Sequence, residues 1–183
     1  MAFYRIFSVN YFSNLVTNPR AWLILTLSAF GLEIAALYFQ YSLGLAPCIM
    51  CIYQRTALWG IVLAGLIGLI GLIGNKSIIL RLLSYGLWGF SAVWGLLIAI
   101  EHVDMQTAEF SFMFACEIVP NFPQWAPLHE WIPMLFEANG DCGDIKWQFL
   151  GLSMPQVMIV IFSVYSAILT ALLIVRLITK KSL

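Results

Sequence analysis

The chain has 183 residues, of which 62% are hydrophobic and only 10% are charged, and its formal net charge is zero. Soluble domains carry about 25% charged residues, and a soluble domain of this length could not bury so much apolar surface. A neutral chain offers no overall charge for binding nucleic acid, and the sequence contains no glycine-rich phosphate loop or dinucleotide fingerprint. The composition therefore indicates a protein that lies in a lipid bilayer.

Four apolar stretches are long enough to span a bilayer as helices, which takes about 17–25 residues each. They cover residues 22–43, 52–74, 78–100 and 155–178. The first is too long for the core of a signal peptide, and no small-residue cleavage site follows it, so we interpret it as an uncleaved anchor. The sequence predicts an all-α membrane protein, with residues 1–183 forming one four-transmembrane-helix bundle that has loops at 44–51 and 101–154.

The second stretch ends in the repeat LIGLIGLIG, in which glycines recur every three residues. These are Gly65, Gly68, Gly71 and Gly74. Small residues allow membrane helices to approach each other closely, which is one explanation of the repeat. The other is that lipid-facing helices simply tolerate glycine, and the sequence does not distinguish the two.

The basic residues predict the orientation of the bundle. Seven of the nine lie on one side in the predicted topology, namely Arg5, Arg20, Lys76, Arg81, Arg176, Lys180 and Lys181. The positive-inside rule makes that side the cytoplasm, so both termini are expected there. The two loops then face outward, and the long loop contains eight of the nine acidic residues.

All four cysteines fall in the two loops that are predicted to face outward, where disulfides persist. They are Cys48, Cys51, Cys116 and Cys142. Four cysteines allow three connectivities. The pairing Cys48–Cys51 with Cys116–Cys142 keeps each disulfide within its own loop.

A zinc site and static loop braces are the two alternatives to a redox role. Cys48 and Cys51 form half of a zinc-ribbon pattern, but Cys116 and Cys142 lie 26 positions apart and do not complete it. His102 and His129 do not form a close pair of ligands either. The sequence therefore predicts no metal site. Static disulfides are the ordinary role of extracellular cysteines, and for the long-loop pair this alternative stays open.

The stretch PCIMCIYQR, residues 47–55, favours redox chemistry for the first pair. A bridge between Cys48 and Cys51 closes so short a loop that it would constrain the unfolded chain little. Pro47 marks a helix start, where the helix dipole favours a thiolate, the attacking species in disulfide exchange. Arg55 follows on the same helical face. We interpret Arg55 as a cation that stabilises a thiolate or hydrogen-bonds a ligand; the alternative is an arginine that snorkels to the interface.

Two further polar residues sit in or beside apolar stretches. Glu33 lies midway along the first helix, and we expect it to be neutral or to pair with a polar group inside the bundle. His102 lies at the outward boundary, level with Cys48 and Cys51, and is either an interfacial polar residue or a hydrogen-bond donor to a bound ligand. His129 is interpreted as structural.

The long loop contains the aromatic and proline-rich run FPQWAPLHEWIPMLF, residues 122–136. Tryptophan favours the membrane–water interface, so the run predicts a segment on the membrane surface with a short amphipathic helix near residues 128–137. The following NGDCG, residues 139–143, is typical of a turn and predicts an exposed Cys142.

These motifs together resemble the DsbB family of bacterial inner-membrane disulfide oxidases. The resemblance is carried by PCIMCIYQR (47–55), by Glu101–His102, and by the loop run FPQWAPLHEWIPMLFEANGDCGDIKWQFLGLSMPQ (122–156), and it extends over about residues 20–178. Gln54 stands where some members have glutamate, and Met50 where leucine is common.

The resemblance implies a quinone-dependent thiol:disulfide oxidoreductase in the bacterial inner membrane, with its active loops in the periplasm. The implied cofactor is ubiquinone or menaquinone, and the implied partner is a periplasmic thioredoxin-fold oxidant of the DsbA type. A non-catalytic four-helix membrane protein with static loop disulfides is the alternative.

The resemblance also implies a role for each site residue. Cys116 matches the cysteine that forms a mixed disulfide with the partner, and Cys142 is its disulfide mate. Electrons then pass to Cys48 and Cys51, of which Cys51 contacts the quinone. Arg55 and His102 match positions that interact with the quinone.

Overall fold

The computed structural model describes residues 18–73, 77–107 and 120–178. Its elements are α1 (Pro19–Tyr41), α2 (Ile49–Ile73), α3 (Ile78–Thr107), α4 (Leu128–Trp131), α5 (Pro133–Phe136), β1 (Gln148–Phe149), β2 (Leu152–Ser153) and α6 (Met154–Ile178). Helices α1, α2, α3 and α6 are long and apolar enough to cross a membrane. The predicted all-α fold with four membrane helices is confirmed.

The four long helices pack into a closed bundle. Helix α2 packs against α1 and α3, and α3 packs against α6. The hydroxyl of Tyr165 on α6 donates a hydrogen bond to Ser28 Oγ on α1 at 3.0 Å, which joins the two outer helices. Trp22, Trp88 and Phe162 are buried in the centre. Many large apolar side chains on the outer surfaces are exposed, as expected for helices that face lipid.

Helices α2 and α3 each include several residues that the sequence assigned to loops. Helix α2 begins at Ile49, so Cys51 lies in its first turn, and the backbone N–H of Cys51 donates to Cys48 Sγ at 3.3 Å. Helix α3 continues to Thr107, and His102 therefore lies on a helix. Hydropathy drops at Glu101, but backbone hydrogen bonding does not require apolar side chains and no glycine or proline interrupts the helix there.

Glycines of the repeat in α2 lie where α1 approaches closely. A Cβ at Gly65 would overlap Thr26, and a Cβ at Gly68 would overlap the ring of Trp22. Gly71 faces Leu80 of α3 more loosely, with 3.1 Å between its virtual Cβ and Leu80 Cβ, and Gly74 lies outside the described residues. Close helix packing therefore explains at least the first two glycines.

Gly68→Ala is expected to destabilise the bundle by about 1–3 kcal/mol, the usual cost of overpacking. The buried Trp22 ring has to move to admit the methyl group. Thermal unfolding of the protein in detergent micelles measures the effect. Gly86→Ala is the matched control, because nothing lies within 4 Å of a Cβ at that helical glycine. Equal unfolding temperatures for the two variants would show that Gly68 is not a packing contact.

The long loop folds back against the end of the bundle rather than forming one continuous helix near residues 128–137. Helices α4 and α5 are separate four-residue turns, because Pro133 disfavours helical backbone at Ile132, which has φ −136° and ψ 67°. Phe136 is buried, whereas Trp125 and Trp131 are 81% and 62% exposed. A position of this segment on the membrane surface stays a prediction.

Hydrogen bonds attach the loop to the helices at several places. The Tyr41 hydroxyl donates to the Met134 carbonyl at 2.7 Å, and the backbone N–H of Asn121 donates to the Tyr53 hydroxyl at 2.8 Å. The hydroxyl of Ser153 lies 2.9 Å from Gln106 Oε1, which links the ends of β2 and α3. The loop is thereby positioned over the ends of α1, α2 and α3.

Candidate functional site

Beneath the long loop, one cavity opens at the end of the bundle. Its volume is about 220 Å³, and its walls are largely apolar side chains of α1, α2 and α6. Four of the predicted site residues line it, namely Cys48, Cys51, Arg55 and His102. They come from two helices and from the residue that precedes α2. The fold therefore brings together residues that are up to 54 positions apart in the sequence.

The first cysteine pair is present as two free thiols in contact. The sulfurs of Cys48 and Cys51 lie 2.7 Å apart, with Cys48 buried and Cys51 partly exposed. The hydrogen bond to Cys51, and then burial, raise the pKa of the Cys48 thiol. Either sulfur can donate to the other, and Cys51 is the more exposed member of the pair.

Arg55 is buried and connects three parts of the molecule. Its Nη1 donates to Gln40 Oε1 on α1 at 2.9 Å and to the Leu135 carbonyl of the loop at 2.6 Å. Its Nε lies 3.6 Å from Glu33 Oε2, and the two side chains are only 5% and 1% exposed. Arg55 therefore points into the bundle, and its charge is balanced by the acid for which the sequence offered no partner.

Arg55→Met is expected to destabilise the protein by about 3–5 kcal/mol, because it leaves the buried Glu33 carboxylate without its cation. Neither carboxylate oxygen accepts a hydrogen bond within the described part of the chain. Adding Glu33→Gln to this variant should recover much of the loss. Unfolding in micelles measures all three proteins, with Arg20→Met as the exposed control. If the double variant were as unstable as Arg55→Met alone, the ion pair would not be the cause.

His102 is buried beside the cysteine pair. Its Nε2 lies 3.5 Å from Cys48 Sγ, and its Nδ1 lies 3.2 Å from Nε2 of Gln54. The ring also hydrogen-bonds the backbone of Cys142. His102 is thus fixed in orientation by α2 and by the loop, and it contacts a sulfur atom as well as the cavity.

The turn that carries Cys142 is bonded directly to the segment before α2. The backbone N–H groups of Asn139 and Gly140 donate to the Pro47 carbonyl at 3.0 and 2.9 Å. A Cβ at Gly140 would overlap the carbonyl oxygen of Ala46, so only glycine allows this approach. The turn therefore lies against the chain next to Cys48.

The prediction of an exposed Cys142 is wrong. This residue is disulfide-bonded and only 2% exposed, and it packs in the same apolar cluster as Cys48. The predicted turn is confirmed, since Gly143 N–H donates to Asp141 Oδ1 at 2.8 Å, but the Pro47 contacts cover the turn. Cys116 lies outside the described residues, so the pairing Cys116–Cys142 stays a prediction.

Comparison with known proteins bears on this arrangement of thiols. A family model described as "Disulfide bond formation protein DsbB" matches residues 18–172. A "Disulfide bond formation protein B" of Pseudoalteromonas translucida (strain TAC 125) is 53% identical over 175 residues, which is 96% of this chain and 100% of the relative. The protein of that name from Psychromonas ingrahamii is 55% identical over 80% of this chain and 77% of its own length.

The chain belongs to the DsbB family. Membership confirms the resemblance seen in the sequence motifs and establishes an oxidoreductase role in disulfide bond formation. The four apolar helices make this family member a multi-pass membrane protein.

Two glutamines of this DsbB-family site were missed as functional candidates. Gln40 binds Arg55, and Gln54 binds His102. Helical spacing offered a signal for both, because Gln40 lies seven residues after Glu33 and Gln54 lies three residues after Cys51. Neutral amides stood out less than charged residues in an apolar helix, although each can donate and accept hydrogen bonds.

Proposed function

We propose that this protein reoxidises a periplasmic DsbA-type thiol oxidant and passes the electrons through two cysteine pairs to a membrane quinone. One observation carries the proposal: the turn of Cys142 is hydrogen-bonded next to Cys48, while Cys51 and Arg55 line an apolar cavity. The arrangement offers electrons a route from the loop cysteines to a cavity that suits a lipid-soluble electron acceptor.

The proposed relay consists of two thiol–disulfide exchanges. A thiolate of the reduced partner attacks the Cys116–Cys142 disulfide at Cys116, and the partner's second thiol completes its own disulfide and leaves the loop pair as two thiols. The loop dithiol then reduces the Cys48–Cys51 disulfide in the same manner. Each exchange conserves one disulfide and moves two electrons and two protons. Contact between the Cys142 turn and the Cys48 segment supports the second exchange.

The cavity has the features that a quinone head group requires. It offers apolar walls, the Cys51 sulfur at its edge, and a buried arginine for a quinone oxygen. When bound, a quinone supplies an acceptor for two electrons and two protons. In this proposal Arg55 and His102 would hold the quinone, and Cys51 would be the cysteine that contacts it. Glu33 and Gln40 keep Arg55 in place through the contacts described above.

We also propose that the bundle lies in the bacterial inner membrane with both termini in the cytoplasm. Arg81 and Arg176 lie near Tyr85, at the end of the bundle opposite the cysteines, which agrees with the distribution of basic residues. The exposed Trp125 and Trp131 would lie at the periplasmic surface of the inner membrane. The cysteines then face the oxidising periplasm.

A turnover assay tests the function. Purified protein in micelles receives an excess of reduced DsbA-type partner and a soluble ubiquinone or menaquinone analogue, and absorbance follows quinone reduction without oxygen. We expect one quinone reduced per partner disulfide formed. Omitting either reactant should stop the reaction. A folded protein that transfers no electrons from a cognate partner to either quinone would instead favour static loop disulfides.

A second assay separates the role of Arg55 in the site from its role in stability. The double variant Arg55→Met with Glu33→Gln removes both buried charges and is expected to fold. We expect its KM for quinone to rise at least tenfold, because the hydrogen-bond donor to the ring is gone. An unchanged KM would show that Arg55 only stabilises the bundle.

A further inference from the structure

We propose that the reduced pair Cys48 and Cys51, together with His102, forms a binding site for one soft divalent metal ion such as Zn²⁺ or Cd²⁺. The two sulfurs and a ring nitrogen of His102 all lie within 4.8 Å of one another. Two thiolates and one imidazole are a ligand set that such ions prefer. This proposal does not depend on the quinone chemistry.

The distances suit a tetrahedral metal ion after one small adjustment. Bonds of about 2.3 Å to sulfur and about 2.0 Å to nitrogen place tetrahedral ligands about 3.5 Å apart for a sulfur–nitrogen pair. Cys48 Sγ and His102 Nε2 are already 3.5 Å apart. The sulfurs, now 2.7 Å apart, must separate by about 1 Å. Rotation of the Cys51 side chain, which borders the cavity, can provide this.

His102 also has the support that a metal-bound histidine needs. Such a histidine usually hydrogen-bonds through its second ring nitrogen, and here Gln54 occupies that position. Because an amide can donate or accept, a turned Gln54 accepts from Nδ1–H and leaves the Nε2 lone pair for the metal. Metal binding replaces the present contact of Nε2 with Cys48.

Metal binding requires the reduced cysteine pair, and the binding reaction conserves charge. Two thiols and one M²⁺ form a dithiolate complex and release two protons, and no electron is transferred. The cavity leaves room for a water as the fourth ligand. A Cys48–Cys51 disulfide has no thiolates to offer, so only the reduced protein binds. A bound metal would hold both sulfurs and block disulfide exchange until a chelator removes it.

The sequence predicts no metal site, because no second ligand pair completes the zinc-ribbon pattern that Cys48 and Cys51 begin. The third ligand comes instead from α3, 51 residues after Cys51. Sequence spacing could not reveal a single histidine that joins the pair only when α2 and α3 pack together.

The test uses the full-length chain carrying Cys116→Ser and Cys142→Ser, so that only the helix pair can bind. After reduction and anaerobic removal of the reductant, Cd²⁺ is titrated while the ultraviolet thiolate-to-cadmium charge-transfer band is recorded. We expect saturation at one Cd²⁺ per chain, displacement by Zn²⁺, and no band after oxidation of the pair. The absence of a saturable band in the reduced protein would overturn the proposal.

Variants of the histidine and its partner separate a three-ligand site from simple binding to two neighbouring thiols. His102→Ala should weaken Cd²⁺ binding at least tenfold, whereas the control His129→Ala should leave it unchanged. If His102→Ala does not fold, Gln54→Leu is used, for which the expected loss is about 10–100-fold. Affinity equal to that of the parent in a folded variant would contradict a role for His102 as ligand.

Discussion

Replacing Cys51 by serine is expected to abolish catalytic turnover while sparing the first exchange with the partner. The loop disulfide that includes Cys142 remains intact in this variant, and it can still oxidise one equivalent of reduced partner. Without a second pair of thiols, the electrons cannot leave the loop, and the reaction stops. Wild-type protein continues as long as quinone is present.

The measurement counts partner disulfides formed per chain. Free thiols are alkylated after acid quenching, and the masses of the products are determined by mass spectrometry. Cys51→Ser should yield about one disulfide per chain and no quinone reduction. Cys142→Ser should yield no complete exchange at all, because the loop pair itself is lost. Repeated turnover by Cys51→Ser would contradict the two-pair relay, since electrons would then reach quinone without the pair Cys48 and Cys51.

Gly140→Ala is expected to slow the exchange between the two cysteine pairs by about 100-fold, the typical effect of misplacing a reacting group by 1 Å. The added methyl group would overlap the Ala46 carbonyl oxygen, and the turn would have to leave the Pro47 carbonyl. Each half-reaction should persist, because neither cysteine pair is altered.

Rapid mixing with acid quench measures the three steps separately. The first equivalent of partner oxidation and quinone reduction by chemically reduced Cys48–Cys51 should occur at near wild-type rates. Gly143→Ala is the matched control in the same turn, since its Cβ would meet only Asp141 Oδ1, at an ordinary 3.6 Å. If Gly140→Ala exchanged as fast as this control, close approach of the turn to Cys48 would not matter for the relay.

Much of the fold follows from the sequence, because the signals involved are long and local. Each apolar stretch of about 20 residues can satisfy its backbone in lipid only as a helix, so four stretches predict four helices. Proline before a cysteine pair likewise predicts a helix start near Cys48, and α2 begins at Ile49. The end of α3 and the break between α4 and α5 were less predictable. A drop in hydropathy does not by itself end a helix, and the effect of a single proline on backbone hydrogen bonding is local.

The site could be predicted in its residue types but not in its contacts. Cys51 and Arg55 were expected on one helical face, and both line the cavity. The partner of Arg55 could not be identified, because Glu33 lies on another helix and the match depends on how α1 packs against α2. The hydrogen bonds of Gln40 were hidden for the same reason.

By itself, the sequence determined that this protein is a membrane helix bundle of the DsbB family, and it predicted two outward cysteine pairs, because hydropathy, helical spacing and family motifs are properties of the linear chain. Only the tertiary structure decided that Cys142 is buried beside Cys48, that Glu33 balances Arg55, and that His102 meets a sulfur. These contacts join residues distant in the chain, and they depend on helix packing and on two hydrogen bonds to Pro47. No local pattern of residues encodes them.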